Sequence, residues 1–341
     1  MKKVLVADDS SLMRRLVSDT LRGEGFEVLT ASNGKEAIEL AAKNKPDAAV
    51  LDVRMPVMDG LAALKEFVST GIPTVMFSSL TKEDSQVTMD ALEVGAFDFV
   101  PKPGGTVTLD ISEVRDDLIR KVRAAVISKK IPILRPKTGK SGRVEGVHAP
   151  ASSVLLIAAS TGGPSFVKAL VQSLGSDLEA AVLIVQHMPP VFTKFFAERI
   201  ASGSRIPVKE GEEGDEVRAG LAFLAPGDYH MEVTSDPVAR LSLNKGPKVN
   251  YVRPSADPLF ISAARRFGRR VVAVILSGMG SDAKDGALAV KSFGGHVIAQ
   301  DETTSVVYGM PRAVIEAGAT DEVLPFDEIP KRVNEILSRL A

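Results

Sequence analysis

Short apolar runs alternate with helical patterns along residues 1–128. The apolar runs predict strands, and the segments between them repeat apolar side chains every three or four residues, as amphipathic helices do. The predicted strands are 3–7, 27–31, 48–51, 74–77 and 98–100, and the predicted helices lie near 11–22, 35–43, 61–69, 84–94 and 110–127. Alternating strands and helices of this kind predict an α/β domain with one doubly wound parallel sheet, a (βα)5 unit.

The pattern changes between residues 129 and 150. This segment contains three prolines, three glycines and six lysine or arginine residues, against the single acidic residue Glu145. Such a composition buries too little apolar surface to fold alone, so we predict a flexible basic linker. The predicted domains are therefore residues 1–128 and residues 151–341, joined by residues 129–150.

The alternation resumes after the linker. Strands are predicted at 154–159, 181–186, 221–224, 231–234, 239–243, 271–276 and 296–299, and helices near 164–174, 191–202, 257–267, 282–293 and 327–340. Turn-rich sequence at 211–215 and 225–228 interrupts this pattern. We therefore predict a second doubly wound parallel-sheet domain that carries an antiparallel insertion.

The overall composition is that of an ordinary soluble globular protein. Of the 341 residues, 45% are hydrophobic and 25% are charged, and the formal net charge of −1 gives no indication of nucleic-acid binding. No apolar run approaches the roughly 18 residues that a membrane span requires, and the first residues predict a strand and not a signal peptide. The lack of cysteine excludes disulfides and a thiol nucleophile. We expect a cytoplasmic protein that neither binds nucleic acid nor inserts into a membrane.

Polar side chains follow the strands of the first predicted sheet. Asp8 and Asp9 follow the first strand, Asp52 the third and Ser78 the fourth, and Lys102 lies just past the fifth. Parallel strands end at one edge of a sheet, so these groups are expected to meet there. Crowded carboxylates favour a cation, and an all-oxygen set suits Mg²⁺, beside which the lysine can bind an anion. The alternative is a set of solvated loop carboxylates.

These residues, with the Met-Pro-Val-Met-Asp-Gly motif at 55–60 and the Lys-Pro pair at 102–103, resemble the receiver domain of two-component response regulators. The resemblance covers about the first 125 residues. It implies that Asp52 accepts a phosphoryl group from a histidine kinase. It also implies that the two N-terminal aspartates help to hold Mg²⁺, with Asp9 and Asp52 as direct ligands, and that Ser78 and Lys102 contact the phosphoryl oxygens.

A candidate nucleophile follows the first strand of the second half. The apolar run 154–159 leads into Ser160, a Thr-Gly-Gly turn and Pro164, which suits the first turn of a helix. Ser160 is therefore predicted at the carboxyl edge of the sheet, beside a helix N-terminus whose free N–H groups favour a developing anion. The alternative is that Ser160 only caps the helix.

The four histidines of the chain are the candidates for the general base that a serine nucleophile needs. His148 lies in the predicted linker, His230 follows a turn of the insertion, and His296 opens its strand at the opposite edge of the sheet. Only His187 ends a predicted parallel strand at the edge that carries Ser160, although a lone histidine in such a place is often an ordinary loop residue.

Two further groups complete the predicted site. Asp282 follows strand 271–276 at the same edge and is placed to orient the imidazole of His187. Glycines on both sides of Met279 free the backbone, so that its N–H can face an oxyanion, and Thr161 can contribute its N–H or hydroxyl. The order Ser, His, Asp differs from that of the α/β-hydrolases.

Residues 278–283 also fit the dinucleotide-binding pattern G-x-G-x-x-A, with Asp301 about 20 residues further on. In that interpretation Asp282 would put a negative charge where the pyrophosphate lies, and Ser160 and His187 would have no role. We therefore favour a hydrolase.

Three motifs behind a receiver domain, namely 159–163 (Ala-Ser-Thr-Gly-Gly), 186–189 (Gln-His-Met-Pro) and 278–282 (Gly-Met-Gly-Ser-Asp), resemble the chemotaxis protein-glutamate methylesterases. The resemblance spans nearly the whole chain. It implies hydrolysis of glutamate γ-methyl esters on chemoreceptors without a cofactor, deamidation of receptor glutamines, and phosphorylation by the chemotaxis histidine kinase. It also implies an intramolecular interface through which the receiver obstructs the catalytic domain. The alternative is a receiver-controlled partner-binding protein with an inactive hydrolase-like domain.

Overall fold

The computed structural model describes residues 1–103, 111–128 and 149–340, with the side chains of the second segment from residue 114. The chain divides into two units, Met1–Ile133 and Leu134–Ala341. All but the last two residues of the predicted linker, and with them His148, lie outside the described residues.

The first unit consists of alternating strands and helices. Its elements are β1 (Lys3–Ala7), α1 (Ser11–Gly23), β2 (Glu27–Ala31), α2 (Gly34–Asn44), β3 (Ala48–Asp52), α3 (Gly60–Ser69), β4 (Thr74–Ser78), α4 (Lys82–Val94), β5 (Asp98–Pro101) and α5 (Ile111–Ile127). The strands pair in parallel in the order β2-β1-β3-β4-β5. The predicted doubly wound (βα)5 sheet is confirmed.

Side-chain caps begin helices α1 to α4 of this unit. Ser10, Asn33, Asp59 and Thr81 each accept a hydrogen bond from a backbone N–H in the first turn of the helix that follows. Each such cap stabilises a helix by roughly 0.5–2 kcal/mol relative to alanine. Strands β3 and β4 are buried along their whole length, as expected for a parallel sheet covered on both faces.

The second unit is larger. Its elements are β6 (Ser153–Ala159), α6 (Pro164–Gln172), β7 (Ala180–Gln186), α7 (Phe192–Ala201), β8 (Val208–Glu210), β9 (Ala222–Leu224), β10 (His230–Val233), β11 (Leu241–Asn244), α8 (Ala256–Phe267), β12 (Val271–Ile275), α9 (Lys284–Ser292), β13 (His296–Gln300), α10 (Met310–Glu316), β14 (Glu322–Leu324) and α11 (Ile329–Leu340). Seven strands pair in parallel in the order β14-β13-β12-β6-β7-β9-β8.

The antiparallel insertion is narrower than the sequence pattern predicts. Among the strands of the described ranges, β10 and β11 form the one antiparallel pair, whereas β9 joins the main sheet in parallel with β7 and β8. Strands β8 and β14 and helix α10 are not predicted from the sequence, because segments of three to seven residues are too short to show a periodicity.

The centre of the second sheet holds a topological switch point. The chain leaves β6 toward β7 and leaves β12 toward β13, so the crossovers on either side of the β6–β12 pair run in opposite directions. In open α/β sheets, ligands bind outside the carboxyl ends of the strands at such a point, so the loops that follow β6 and β12 are the expected place of a functional site. Strands β6, β7 and β12 are buried along their whole length.

None of the helices within the described ranges is both long and apolar enough to cross a membrane.

Candidate functional site

Hydrogen bonds join the two loops that follow β6 and β12 at the carboxyl edge of the second sheet. The Ser160 N–H donates to the Ser277 carbonyl oxygen at 3.0 Å, and the Ser277 hydroxyl donates to the Thr161 carbonyl oxygen at 2.9 Å. The Gln186 side chain also donates to the Ser160 carbonyl oxygen, at 2.9 Å. The backbone on both sides of the predicted nucleophile is therefore fixed from neighbouring strands.

Two glycines of these loops have no room for a side chain. Gly162 has a φ of +71°, and a Cβ there would lie 2.5 Å from Cβ of Val306. A Cβ on Gly278 would overlap with Sδ of Met310 and lie 3.0 Å from Cβ of Ser160. Glycine at both positions therefore permits the close approach of the loops around Ser160.

Ser160 does not cap the helix that follows it. Helix α6 begins at Pro164, and its N-cap residue is Gly163, without a side-chain cap. Ser160 is partly exposed, whereas Thr161 and Pro164 beside it are buried. The alternative of a purely capping serine is therefore excluded, and Ser160 lies partly exposed at the carboxyl edge of the sheet.

The sheet register places His187 beside Ser160. Ala159 and Gln186 are Cα partners in the paired strands β6 and β7, so Ser160 and His187 each follow their strand by one residue. Neighbouring strands lie about 4.8 Å apart. The His187 N–H also donates to the Ala159 carbonyl oxygen at 3.1 Å. Within residues 149–340 no hydrogen bond joins the Ser160 hydroxyl to the imidazole of His187. Such catalytic hydrogen bonds are often long or absent in enzymes without bound substrate.

His187 and Asp282 are in direct contact. Nε2 of His187 lies 2.7 Å from Oδ2 of Asp282. Because the carboxylate can only accept, Nε2 carries the hydrogen, and Nδ1 of the neutral ring is the nitrogen left to accept a proton. The structure thus brings the predicted base and its predicted orienting carboxylate together.

Asp282 is a buried carboxylate with several hydrogen-bond donors. Besides His187, it accepts from the Ser255 hydroxyl at 2.5 Å, the Ala256 N–H at 2.7 Å and the Asn250 side-chain amide at 3.0 Å. Burial alone raises the pKa of Asp282, but the hydrogen bonds from His187, Ala256 and Ser255 outweigh it and lower the pKa to about 2. The group is therefore charged and fixed in orientation at neutral pH.

A second buried carboxylate, Asp257, lies near Asp282 and was not predicted. It accepts from the side-chain amide of Asn250 and from the Gly286 N–H, both at 2.7 Å. Burial and the neighbouring charge of Asp282 raise the pKa of Asp257 to about 6. In the sequence Asp257 looks like an ordinary acidic residue of a helix first turn, and nothing links Asn250 to the site.

The predicted oxyanion groups lie at the same loops. In the part of the chain that the structure describes, the backbone N–H groups of Thr161 and Met279 donate to no protein acceptor. The loop beside Met279 is held by the Gly278 carbonyl oxygen, which accepts from the Gly309 and Met310 N–H groups at 3.0 and 2.8 Å. Free N–H groups next to Ser160 suit the stabilisation of an oxyanion, and this role of Thr161 and Met279 stays a prediction.

The dinucleotide interpretation finds no support in the geometry. Asp301 accepts from the hydroxyl of Thr303 at 2.5 Å and from the N–H and hydroxyl of Thr304 at 3.0 and 2.5 Å, so its carboxylate organises its own loop. Asp282, which the pattern would place beside a pyrophosphate, is a buried anion in contact with His187.

The first unit brings the three predicted aspartates together. Asp8, Asp9 and Asp52 each offer a carboxylate oxygen within 4.8 Å of the others. Lys102 Nζ lies 2.8 Å from Asp52 Oδ2 and 2.9 Å from Asp8 Oδ2. Burial raises the pKa of Asp52 to about 6, although the lysine acts in the opposite direction. Three carboxylates at this distance form an oxygen donor set that fits Mg²⁺.

Ser78 lies at the end of β4, as predicted, and is fully buried. Its hydroxyl accepts a hydrogen bond from the Thr88 hydroxyl at 2.7 Å. In this structure the Ser78 hydroxyl is therefore engaged with helix α4, and its contact with a phosphoryl group stays a prediction.

Two family models match the chain. The model described as CheB methylesterase matches residues 155–333, and the model described as response regulator receiver domain matches residues 4–111. The protein-glutamate methylesterase/protein-glutamine glutaminase of Pyrococcus horikoshii is 45% identical over 97% of this chain and 92% of its own. Its namesake from Archaeoglobus fulgidus is 44% identical over 98% of both chains. The crystal structure of the Thermotoga maritima CheB methylesterase catalytic domain covers 54% of this chain and 98% of its own, with 43% identity and a TM-score of 0.53.

Proposed function

Since the chain belongs to the CheB methylesterase family and carries a receiver domain, we propose that it hydrolyses glutamate γ-methyl esters on chemoreceptors under the control of phosphorylation. The observation that supports this function most directly is the buried His187–Asp282 pair, at the sheet edge that holds the accessible Ser160. We also propose that it deamidates specific receptor glutamines, since its relatives are named protein-glutamine glutaminases. Its place of action is the cytoplasm.

The reaction proceeds through an acyl-enzyme. Ser160 Oγ attacks the ester carbonyl carbon while Nδ1 of His187 takes the hydroxyl proton, and Asp282 stabilises the resulting imidazolium. The N–H groups of Thr161 and Met279 stabilise the oxyanion. As the tetrahedral intermediate collapses, the C–O bond to the methoxy group breaks, and His187 returns the proton so that methanol leaves.

Water completes the cycle. His187 Nδ1 removes a proton from the water that attacks the acyl-enzyme, and the proton then passes to Ser160 Oγ as the glutamate carboxylate leaves. With a glutamine substrate the same steps release ammonia in place of methanol. The substrate is a side chain on a large receptor helix, which fits a nucleophile that is partly exposed at the edge of a sheet.

The first domain, proposed as residues 1–128, supplies the control. Asp52 receives the phosphoryl group from a histidine kinase, and Lys102 contacts the phosphoryl oxygens, a role supported by its ion pair with Asp52. Mg²⁺ held by Asp8, Asp9 and Asp52 would neutralise charge on the transferring phosphoryl group. The catalytic domain is proposed as residues 151–341, and residues 129–150 link the two.

We expect Asp52→Asn to abolish stimulation of the enzyme by a small phosphodonor, because the amide cannot take up a phosphoryl group. Methanol release from methylated chemoreceptor membranes, with and without phosphodonor and Mg²⁺, measures the effect. In the unmodified chain the phosphodonor should raise the rate, and Asp59→Asn, at an exposed helix cap, should respond in the same way. If no methanol is released from any methylated receptor although Asp52 is phosphorylated, the function is partner binding and not hydrolysis.

We further propose that the unphosphorylated receiver obstructs access to the catalytic domain. Removal of residues 1–150 should then raise the basal rate of methanol release. The truncation is reasonable because the Thermotoga maritima relative has been crystallised as a catalytic domain alone. A truncated chain that is no faster than the unphosphorylated full chain would show that phosphorylation acts in another way.

A further inference from the structure

One side-chain amide spans two buried carboxylates in the second unit. Nδ2 of Asn250 lies 3.0 Å from Oδ1 of Asp282 and 2.7 Å from Oδ2 of Asp257. Each carboxylate is at most 4% exposed. Because an amide nitrogen carries two hydrogens, it can donate one to each carboxylate at the same time.

The backbone around Asn250 is shaped to deliver this amide. Val249 and Val252 exchange two backbone hydrogen bonds, at 3.2 and 3.0 Å, and close a two-residue turn. Both turn residues are left-handed, Asn250 with a φ of +52° and Tyr251 with a φ of +64°. Asparagine tolerates this conformation, but a tyrosine does so only at a cost in energy. Tyr251 is 93% exposed, so no packing compensates for that cost.

The amide also separates two groups that repel each other. Around Asp282 the facing groups are His187, Ser255, the Ala256 N–H and Asn250. Around Asp257 they are Asn250, the Gly286 N–H and the charges of Asp282 and Asp285. No lysine or arginine of the described ranges forms an ion pair with either carboxylate. The Asn250 dipole therefore bridges two anions that lack a cation between them.

From this geometry we propose that Asn250 is a positioning residue of the enzyme: its amide, anchored on Asp257, holds the Asp282 carboxylate in the orientation that receives Nε2–H of His187. The inference rests on the proposed hydrolase function for its kinetic readout. Without the amide, Oδ1 of Asp282 keeps only the Ser255 hydroxyl, and repulsion from Asp257 turns the carboxylate away from the ring.

The variants are chosen to keep the backbone of the turn. Asn250→Gly removes the amide and suits a left-handed residue, and Asn250→Asp keeps the shape while replacing the donor with an acceptor. Tyr251→Gly is the matched control, because it places glycine in the same turn without touching either carboxylate. Since misplacement by about 1 Å can cost 10²-fold in rate, we expect both Asn250 variants to lower kcat by about 10- to 100-fold with little change in KM.

A spectroscopic readout separates positioning from simple loss of stability. The chain has only four histidines, so [¹⁵N]histidine labelling of the full chain resolves the His187 ring, assigned with His187→Gln. We expect a downfield Nε2–H resonance from the bond to Asp282 in the unmodified chain and in Tyr251→Gly, and its loss or upfield shift in both Asn250 variants.

The outcomes are distinct. A fall in kcat together with loss of the resonance supports the proposal. A kcat within about twofold of the unmodified chain, or an unchanged resonance, overturns it. If the unmodified chain hydrolyses no receptor ester, the proposed function fails, while the resonance still decides the role of Asn250.

A double-mutant experiment tests whether Asp257 anchors the amide of Asn250. If Asp257 acts through Asn250, Asp257→Asn should lower kcat in the unmodified chain but not in the Asn250→Gly background, where the connection is already interrupted and the charge of Asp257 only repels Asp282. Losses that multiply would overturn the anchor and leave the two residues independent.

Discussion

Ser160→Ala is expected to lower kcat for methyl-ester hydrolysis by about a millionfold. Alanine removes the only atom that forms the covalent bond to the acyl group, and loss of a serine nucleophile in a serine hydrolase costs an amount of this order. The residual rate would come from the oxyanion groups Thr161 and Met279 acting on direct attack by water.

Methanol release from methylated receptor membranes under phosphodonor and Mg²⁺ measures this loss. Ser165→Ala is the matched control: Ser165 lies in the first turn of α6, a few residues from Ser160, and alanine suits a helix. A Ser160→Ala chain that retains more than a small fraction of the rate would show that another group is the nucleophile. The backbone at Ser160 is fixed from β7 and from the Ser277 loop, so the change should leave the fold intact.

The second large effect is expected for Asp282→Asn, with a loss of about 10⁴-fold in kcat, the size found when a triad carboxylate becomes an amide. All the groups that face Asp282 donate to it, namely His187, Ser255, Ala256 and Asn250. An asparagine must turn its NH₂ toward one of these donors. Either that contact becomes repulsive, or His187 adopts the other tautomer and can no longer accept the proton from Ser160.

The same substitution has a defined dependence on pH. The pKa of Asp282 in the folded protein is about 2, below the ordinary value for aspartate near 3.9, so the charged group stabilises the fold above that ordinary value. This contribution is lost as the pH falls through about 2. The free energy of unfolding of Asp282→Asn should therefore be lower than that of the unmodified chain at pH 7, and the deficit should shrink toward pH 2.

Denaturant midpoints at several pH values check this expectation. Asp285 is an exposed carboxylate in the first turn of α9. As a control, Asp285→Asn should change kcat and the free energy of unfolding far less than Asp282→Asn does. A deficit that grows as the pH is lowered would contradict the depressed pKa of Asp282.

The parts of the fold that the sequence predicts are those with a clear period. The buried runs of β1, β6, β7 and β12 and the amphipathic pattern of α11 repeat apolar residues at regular intervals, and their positions agree with prediction to within a residue or two. The β/α alternation then places strand ends on one edge, so Asp52, Ser160, His187 and Asp282 are predicted at these edges without knowledge of the coordinates. Topology, and not local sequence, is what selects His187 from the other histidines.

The remaining parts depend on contacts that no local pattern reveals. The turn at Asn250 and Tyr251 has no glycine, so nothing in its sequence indicates two left-handed residues. Asp257 and Asp282 are 25 positions apart and meet only because α8 and α9 pack side by side. Similarly, β9 looks like part of a hairpin until the three-residue strand β8 provides a parallel neighbour. Such features are set by tertiary packing, which a single sequence does not show.

Because Asp282 accepts the hydrogen of Nε2, the nitrogen of His187 that is left to take up a proton is Nδ1. Nδ1 is the ring nitrogen nearest the main chain, so little of the side chain lies between the proton acceptor and the sheet. The aim of the base is then set mainly by where β7 ends, which the Ala159–Gln186 pairing and the His187 N–H bond to Ala159 define. A slip of β7 by one residue against β6 would remove the base altogether. In the proposed mechanism strand register is a determinant of proton transfer, so a more stable β6–β7 pair would protect activity as well as the fold.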